Sequence, residues 1–228
     1  MVTGFKQICI GVPDLERSAA ELQILLGAPC KPGSSGGSRR RLALANTVLE
    51  LEQCDTDQAR ITGLVLSSPA VGAQSQRIDN DRGLRLQLAS GAESEDFQCP
   101  DERAVADELS VDHLVLRTRD ADACVELFGE RLGIRLALDR TVPEWGGRML
   151  FFRSGGMTLE VIASPDFDQQ DCFWGIAYQT PDIDRAWQRM TRAGVELSAV
   201  RAGRKPGTRV ATISSHHSGI PALLVGPL

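Results

Sequence analysis

The chain has 228 residues, 42% of them hydrophobic, and balances 25 Lys and Arg against 30 Asp and Glu for a net charge of −5. It is long enough to bury a substantial core. It carries no basic face of the kind nucleic-acid binding needs, and no apolar run near the ~18 residues of a membrane span. The opening residues lack the apolar stretch of a signal peptide and lead straight into a strand pattern, so a cytoplasmic location is expected. The six cysteines are scattered with no Cys-x-x-Cys spacing. They are expected to be reduced, with Cys9 and Cys124 as core filler.

In chain order, Gln7–Asp14 is a short alternating apolar strand running into Asp14, which suits a helix N-cap. The stripe Leu15, Ala19, Leu22, Leu25 and Leu26 follows at helical spacing and closes on Gly27, where a left-handed C-cap favours glycine. After a loop over 31–38, strands are predicted near Arg41–Ala45 and Val48–Glu52. The pattern then restarts in degenerate form at Gly63–Ala70. This second unit is truncated, with a strand over Ile61–Ser67, a short helix or turn, and a strand over Leu84–Ala89. The polar, acidic stretch 91–109 reads as a linker between an N-terminal pair of units (1–90) and a C-terminal pair (110–228).

The third unit is the clearest. Val111–Arg117 alternates so that His113, Val115 and Arg117 share one face. Asp120 caps a helix carrying Ala121, Cys124, Val125, Phe128 and Leu132, which ends on Gly133. Strands are predicted near Ile134–Asp139, Arg148–Arg153 and Thr158–Ala163. The fourth unit repeats the plan: strand Trp174–Gln179, cap Asp182, stripe Ile183, Ala186, Trp187, Met190 and Ala193, then Gly194. Strands over Val195–Val200, Thr208–Ser214 and Pro221–Val225 complete it. Units recurring every ~50–60 residues indicate one stacked supersecondary element. The fold class expected is α+β, with four βαβββ-type modules forming two cup-shaped mixed sheets.

Several side chains in these patterns are chemically expensive unless used. Glu160 lies on an otherwise apolar strand, and a buried carboxylate needs a partner; Arg117, Arg148 and His113 are the candidates. His113 could serve as general base or ligand. Trp145 could cover a ligand beside Arg148, whose fork suits carboxylates or phosphates. Trp174 adjoins the fourth strand's start. Arg204 lies in the compact basic turn Gly203–Arg209, which could hold an anionic group. His216 precedes the last strand.

Val111–Leu116, Leu132-Gly133, Met157–Ile162, Gly207–Ala211 and Gly219–Leu224, taken in order, resemble the vicinal oxygen chelate superfamily. That superfamily includes glyoxalase I, bleomycin-resistance proteins, methylmalonyl-CoA epimerase and extradiol dioxygenases. The resemblance implies cup-shaped sheets of paired βαβββ units, with a divalent metal (Zn, Ni, Fe or Mn) held by the first and last strands of each unit. The first-strand positions here are Gln7, Gly63, His113 and Gly175. The last-strand positions are Glu50, Gln87, Glu160 and Leu223. His113 and Glu160 are thus the implied metal ligands or catalytic pair, with Gln7 and Glu50 as outside candidates. Two readings stay open at this point. One is a metal-dependent lyase, isomerase or dioxygenase acting on a small oxygenated metabolite in the C-terminal cup. The other is a metal-free small-molecule binder of the bleomycin-resistance type. Ligand contacts are expected from Arg148, Trp145, Trp174, Arg204 and His216, and a homodimer through the N-terminal half is a further expectation.

Overall fold

The computed structural model describes residues 1–33, 37–72, 74–90, 109–145 and 147–228. The first unit comprises β1 (Gly4–Val12), α1 (Leu15–Leu26), β2 (Cys30–Pro32), β3 (Arg39–Ala43) and β4 (Val48–Gln53). The second has β5 (Arg60–Ser68), β6 (Gln76–Ile78) and β7 (Arg85–Ser90), with no helix among its described residues. The third has β8 (Ser110–Thr118), α2 (Ala121–Cys124), a π-helical continuation Val125–Arg131, and strands β9 (Arg135–Val142), β10 (Gly147–Ser154) and β11 (Met157–Ala163). The fourth has β12 (Cys172–Gln179), α3 (Ile183–Arg192), β13 (Arg201–Ala202), β14 (Thr208–Ile213) and β15 (Ala222–Pro227).

The expected α+β class is borne out. The three aspartates cap as their spacing predicts: Asp14, Asp120 and Asp182 each accept the N–H three residues on, at 3.0 Å. Gly27 ends α1 at φ 65°, a conformation that costs a Cβ-bearing residue 1–2 kcal/mol by order of magnitude.

In each unit the first strand runs parallel to the last, as in β1·β4, β5·β7, β8·β11 and β12·β15. Neighbouring units meet antiparallel through β1·β5 and β8·β12. The first unit therefore pairs with the second and the third with the fourth, so Gln7 and Glu50 do not join His113 and Glu160. A single bridge, Phe173 with Ile61, continues one sheet into the other. Helices cover one face of the sheet and the other face forms the hollows. The main core lies on the helix side, where Ile8, Ile10, Leu49, Leu51, Leu114, Leu116, Leu159, Val161 and Leu224 are buried.

The two pairs are tied by polar clamps. Asn46 exchanges both amide hydrogen bonds with the backbone of Val111, at 2.8 and 2.9 Å. Arg189 on α3 donates to Ile24 O and Leu25 O, the uncapped carbonyls at the end of α1. Arg82 forks onto Asp171 at 2.7 and 3.0 Å and reaches Thr118 Oγ1. The linker expected over 91–109 lies, apart from Leu109, outside the described residues.

Strand boundaries differ from expectation in two places. The strand expected over Val195–Val200 is reduced to an isolated bridge, Leu197 with Ile213, and the short β13 follows it. Ser198 donates its backbone N–H to Thr212 O at 2.9 Å, and its hydroxyl accepts from Thr212 N. A short edge strand, β2, forms where a loop was expected. No described helix is long and apolar enough to cross a membrane.

Candidate functional site

The C-terminal hollow is built on β8 and β11. Period-two alternation puts Glu160 and Ile162 of β11 on the hollow's face, opposite Leu159 and Val161. On β8 the alternation is broken. His113 pairs with Ala177 and Val111 with Tyr178, so Asp112 is an extra residue in a β-bulge. The bulge turns two consecutive side chains to the same neighbourhood. His113 Nδ1–H donates to Asp112 Oδ2 at 2.7 Å, while Nε2 points to Glu160 Oε2 at 3.5 Å. The equivalent place in β1 is also bulged, between Phe5 and Gln7.

The two carboxylates flanking His113 are driven apart. The bond from His113 holds Asp112 below the ordinary aspartate range, against an opposing effect of burial, and Lys205 and Arg153 help through their charge. Burial pushes Glu160 up; His113 and Arg204 pull it partly back, and Asp112 pushes it further up. One carboxylate is thus a fixed anion that orients the imidazole, and the other is poised to carry a proton. Two cations of the basic turn Gly203–Arg209 act on the pair by charge, Arg204 on Glu160 and Lys205 on Asp112.

The opposite wall is apolar. Ala177, Val210, Val225 and Leu223 form a separate small cluster on the hollow side of β12, β14 and β15. A Cβ built on Gly175 would lie 2.8 Å from Pro221 O, so no side chain fits there without moving backbone. Leu223, the other fourth-unit position, faces its apolar neighbours. Protein ligands for a cation in this cup therefore number two, His113 and Glu160, and Asp112 is already spent on Nδ1. Catalytic divalent sites need three or more converging ligands. Among the described residues no group of three His, Cys, Asp or Glu side chains converges. The cup does not fit a resident metal.

The N-terminal hollow is occupied by its own side chains. Glu50 is 3% exposed and both its oxygens are taken, Oε1 by Arg39 at 3.0 Å and Oε2 by Arg41 at 2.7 Å. Arg39 also bonds Glu52 at 2.9 Å, and Arg85 from β7 lies 3.5 Å from Glu52. Gln7 turns its amide to Cys9 Sγ. Of these outside candidates, Glu50 is held in an ion-pair cluster with both oxygens taken, and Gln7 takes no part in that cluster.

The remaining expected contacts divide. Arg148 does not reach the cup: it pairs with Ala163 and shares the helix-side face with Leu150 and Phe152. Its guanidinium is held by Asp139 at 2.7 and 2.6 Å and by Asp122 at 2.7 Å. An anion in the cup is out of its range, and Glu160 is partnered by His113 instead. Trp174 is 44% exposed at a second bulge, between Phe173 and Gly175. The side chain of Trp145 lies outside the described residues. His216 lies in a loop, not a strand, with φ 60° and Nδ1 2.8 Å from Ser215 Oγ. Its neighbour His217 is the buried one, against Tyr178. Sequence reasoning missed Asp112, because strict alternation puts it on the face opposite His113. The available signal was an acidic residue directly preceding the candidate imidazole.

Residues 112–212 match the family described as the Glyoxalase/Bleomycin resistance protein/Dioxygenase superfamily, so the expected kinship is borne out over that stretch. No curated protein matches the sequence closely enough to count as a relative. Among solved structures, a variant of 4-hydroxymandelate synthase from Streptomyces coelicolor aligns over 100% of this chain and 93% of its own, with TM-score 0.71 and 14% identity. Methylmalonyl-CoA epimerase from Mycobacterium tuberculosis aligns over 52% of this chain and 87% of its own, at 20% identity and TM-score 0.44. At such identities the likeness of the synthase shows the fold alone.

Proposed function

We propose that this chain, whose residues 112–212 match the family model of the glyoxalase, bleomycin-resistance and dioxygenase proteins, is a small-molecule enzyme. It moves a proton at carbon α to a carbonyl, as an isomerase or lyase, without a resident metal. The observation that carries this is the bulged Asp112–His113 pair facing Glu160 across 3.5 Å. Glu160, held high by burial, takes the proton from carbon and returns it. His113, fixed by Asp112 through Nδ1–H, donates to the carbonyl oxygen through Nε2–H in its doubly protonated form as charge develops there. Arg204 and Lys205 favour an anionic substrate. The apolar wall of Ala177, Val210, Leu223 and Val225 excludes water from the other side.

The apolar wall and the half-exposed Trp174 favour a second reading, a metal-free binder that sequesters a small molecule. One experiment separates the two. Chelator-treated protein is incubated in D2O with a panel of short 2-oxo acids, and loss of the α C–H signal is followed by NMR. The enzyme reading expects exchange that drops about 10²–10⁴-fold in Glu160→Gln. Saturable binding with no exchange supports the binder. Exchange unchanged in Glu160→Gln overturns the assignment of the base.

A further inference from the structure

Arg117 is a cation packed against aromatic rings. It lies on β8 in the row of His113 and Val115, opposite Cys172 of β12 and beside Ile162 of β11. Its guanidinium carbon sits 4.6 Å above the centroid of Phe167 and 5.8 Å from that of Trp174. Neither ring belongs to the main core cluster. Among the described residues no carboxylate reaches it. Asp171, next to its cross-strand neighbour, is taken bidentately by Arg82. Asp166 and Asp168 flank Phe167 in sequence but make no ion pair with it.

An arginine packed on aromatic faces keeps its N–H donors pointing outward in the guanidinium plane. That edge can hold two oxygens of one anion bidentately, and the flanking rings suit a flat group that carries it. Leaving a half-buried guanidinium unpaired is costly unless something else supplies the acceptors. We propose that Arg117, Phe167 and Trp174 form a second subsite of the C-terminal cup, which holds a carboxylate on a flat or aromatic group. This rests on the reading that the cup is the ligand site. Arg117 is four residues from His113 on one strand, about 13 Å away. The ligand is therefore elongated: a reactive carbonyl at His113 and Glu160, and a carboxylate terminus at Arg117.

The test uses the whole chain labelled with 5-fluorotryptophan, the Trp174 resonance being assigned through Trp174→Phe. Benzoate and, separately, inorganic phosphate are titrated. Benzoate is expected to shift the Trp174 signal saturably, with affinity about 10-fold or more weaker in Arg117→Met, since a charged hydrogen-bond pair is lost. The thioether still fills the gap between the rings, and Arg117→Gln is read in its place if that variant does not fold. An undiminished response in the variant overturns the subsite. Phosphate binding as well as or better than benzoate overturns the carboxylate assignment. His113→Gln is expected to keep the benzoate response. A failed deuterium exchange with that response intact therefore counts against the proton-transfer chemistry and not against this subsite.

Discussion

His217 links the main core to pH. The residue is 3% exposed, and its partners fix its protonation. Nδ1 lies 2.9 Å from Ile220 O, which can only accept, so Nδ1 carries the proton. Nε2 therefore accepts from the Tyr178 hydroxyl at 2.6 Å. A second proton would put an uncompensated charge in the core, and burial lowers the pKa from 6.5 to about 4. Between those values the unfolded chain binds a proton that the folded chain refuses, so stability falls as pH falls from 6.5 to 4. At about 1.4 kcal/mol for each pH unit, the loss approaches about 3 kcal/mol. Urea unfolding at pH 7, 6, 5 and 4.2 measures it, with His217→Asn as the control in which this component vanishes. The depressed carboxylates Asp112 and Asp139 act only below about pH 4 and stay outside the window. Glu160, with its pKa raised, acts in the opposite sense within the window, so the deciding quantity is the difference between the two slopes, and the same slope in His217→Asn would refute the reasoning.

Glu160→Gln is expected to raise stability at pH 7 while abolishing exchange. A carboxyl whose folded pKa is raised binds its proton more tightly when folded, so ionised Glu160 destabilises the native state. The gain should shrink as pH falls toward 4.5, and a variant less stable than wild type at pH 7 contradicts it. Glu50→Ala removes the carboxylate shared by Arg39 and Arg41. Breaking a buried pair costs about 3–5 kcal/mol. Arg39 keeps Glu52, and Arg39 and Arg41 are 29% and 24% exposed, so about 2–3 kcal/mol is expected by urea midpoint at unchanged slope. A change under ~0.5 kcal/mol would show that the cluster is not structural. Gly175→Ala forces its Cβ toward Pro221 O and should cost about 1–3 kcal/mol, measured by thermal or urea unfolding. A neutral effect would mean that the fourth unit has room for a side chain in the cup.

What could be read from the residues was whatever obeyed a fixed period. The aspartate caps, the glycines closing the helices and the apolar alternation placed each unit's first strand and helix. The same alternation put His113 and Glu160 on one face, where they meet. Arg148 was also within reach of that argument: counted from Leu150 and Phe152 it belongs to the helix side, and composition of its turn drew attention elsewhere. Asp112 and Trp174 were not, because each sits at a bulge and a bulge leaves no mark in a hydrophobic pattern. Glu50 looked like a ligand until the register set Arg41 directly across from it. The position of His216 was not legible either, because its segment is a loop with positive φ at His216.

The account turns on one imidazole lying between two unlike carboxyl groups. A nitrogen-15 NMR spectrum of the His113 ring in the wild type, Asp112→Asn and Glu160→Gln tests this directly. At alkaline pH the expected state has the proton on Nδ1 and a bare Nε2 whose resonance moves on Glu160→Gln, while Asp112→Asn disturbs Nδ1. A proton resident on Nε2, or ring nitrogens indifferent to both substitutions, would contradict it.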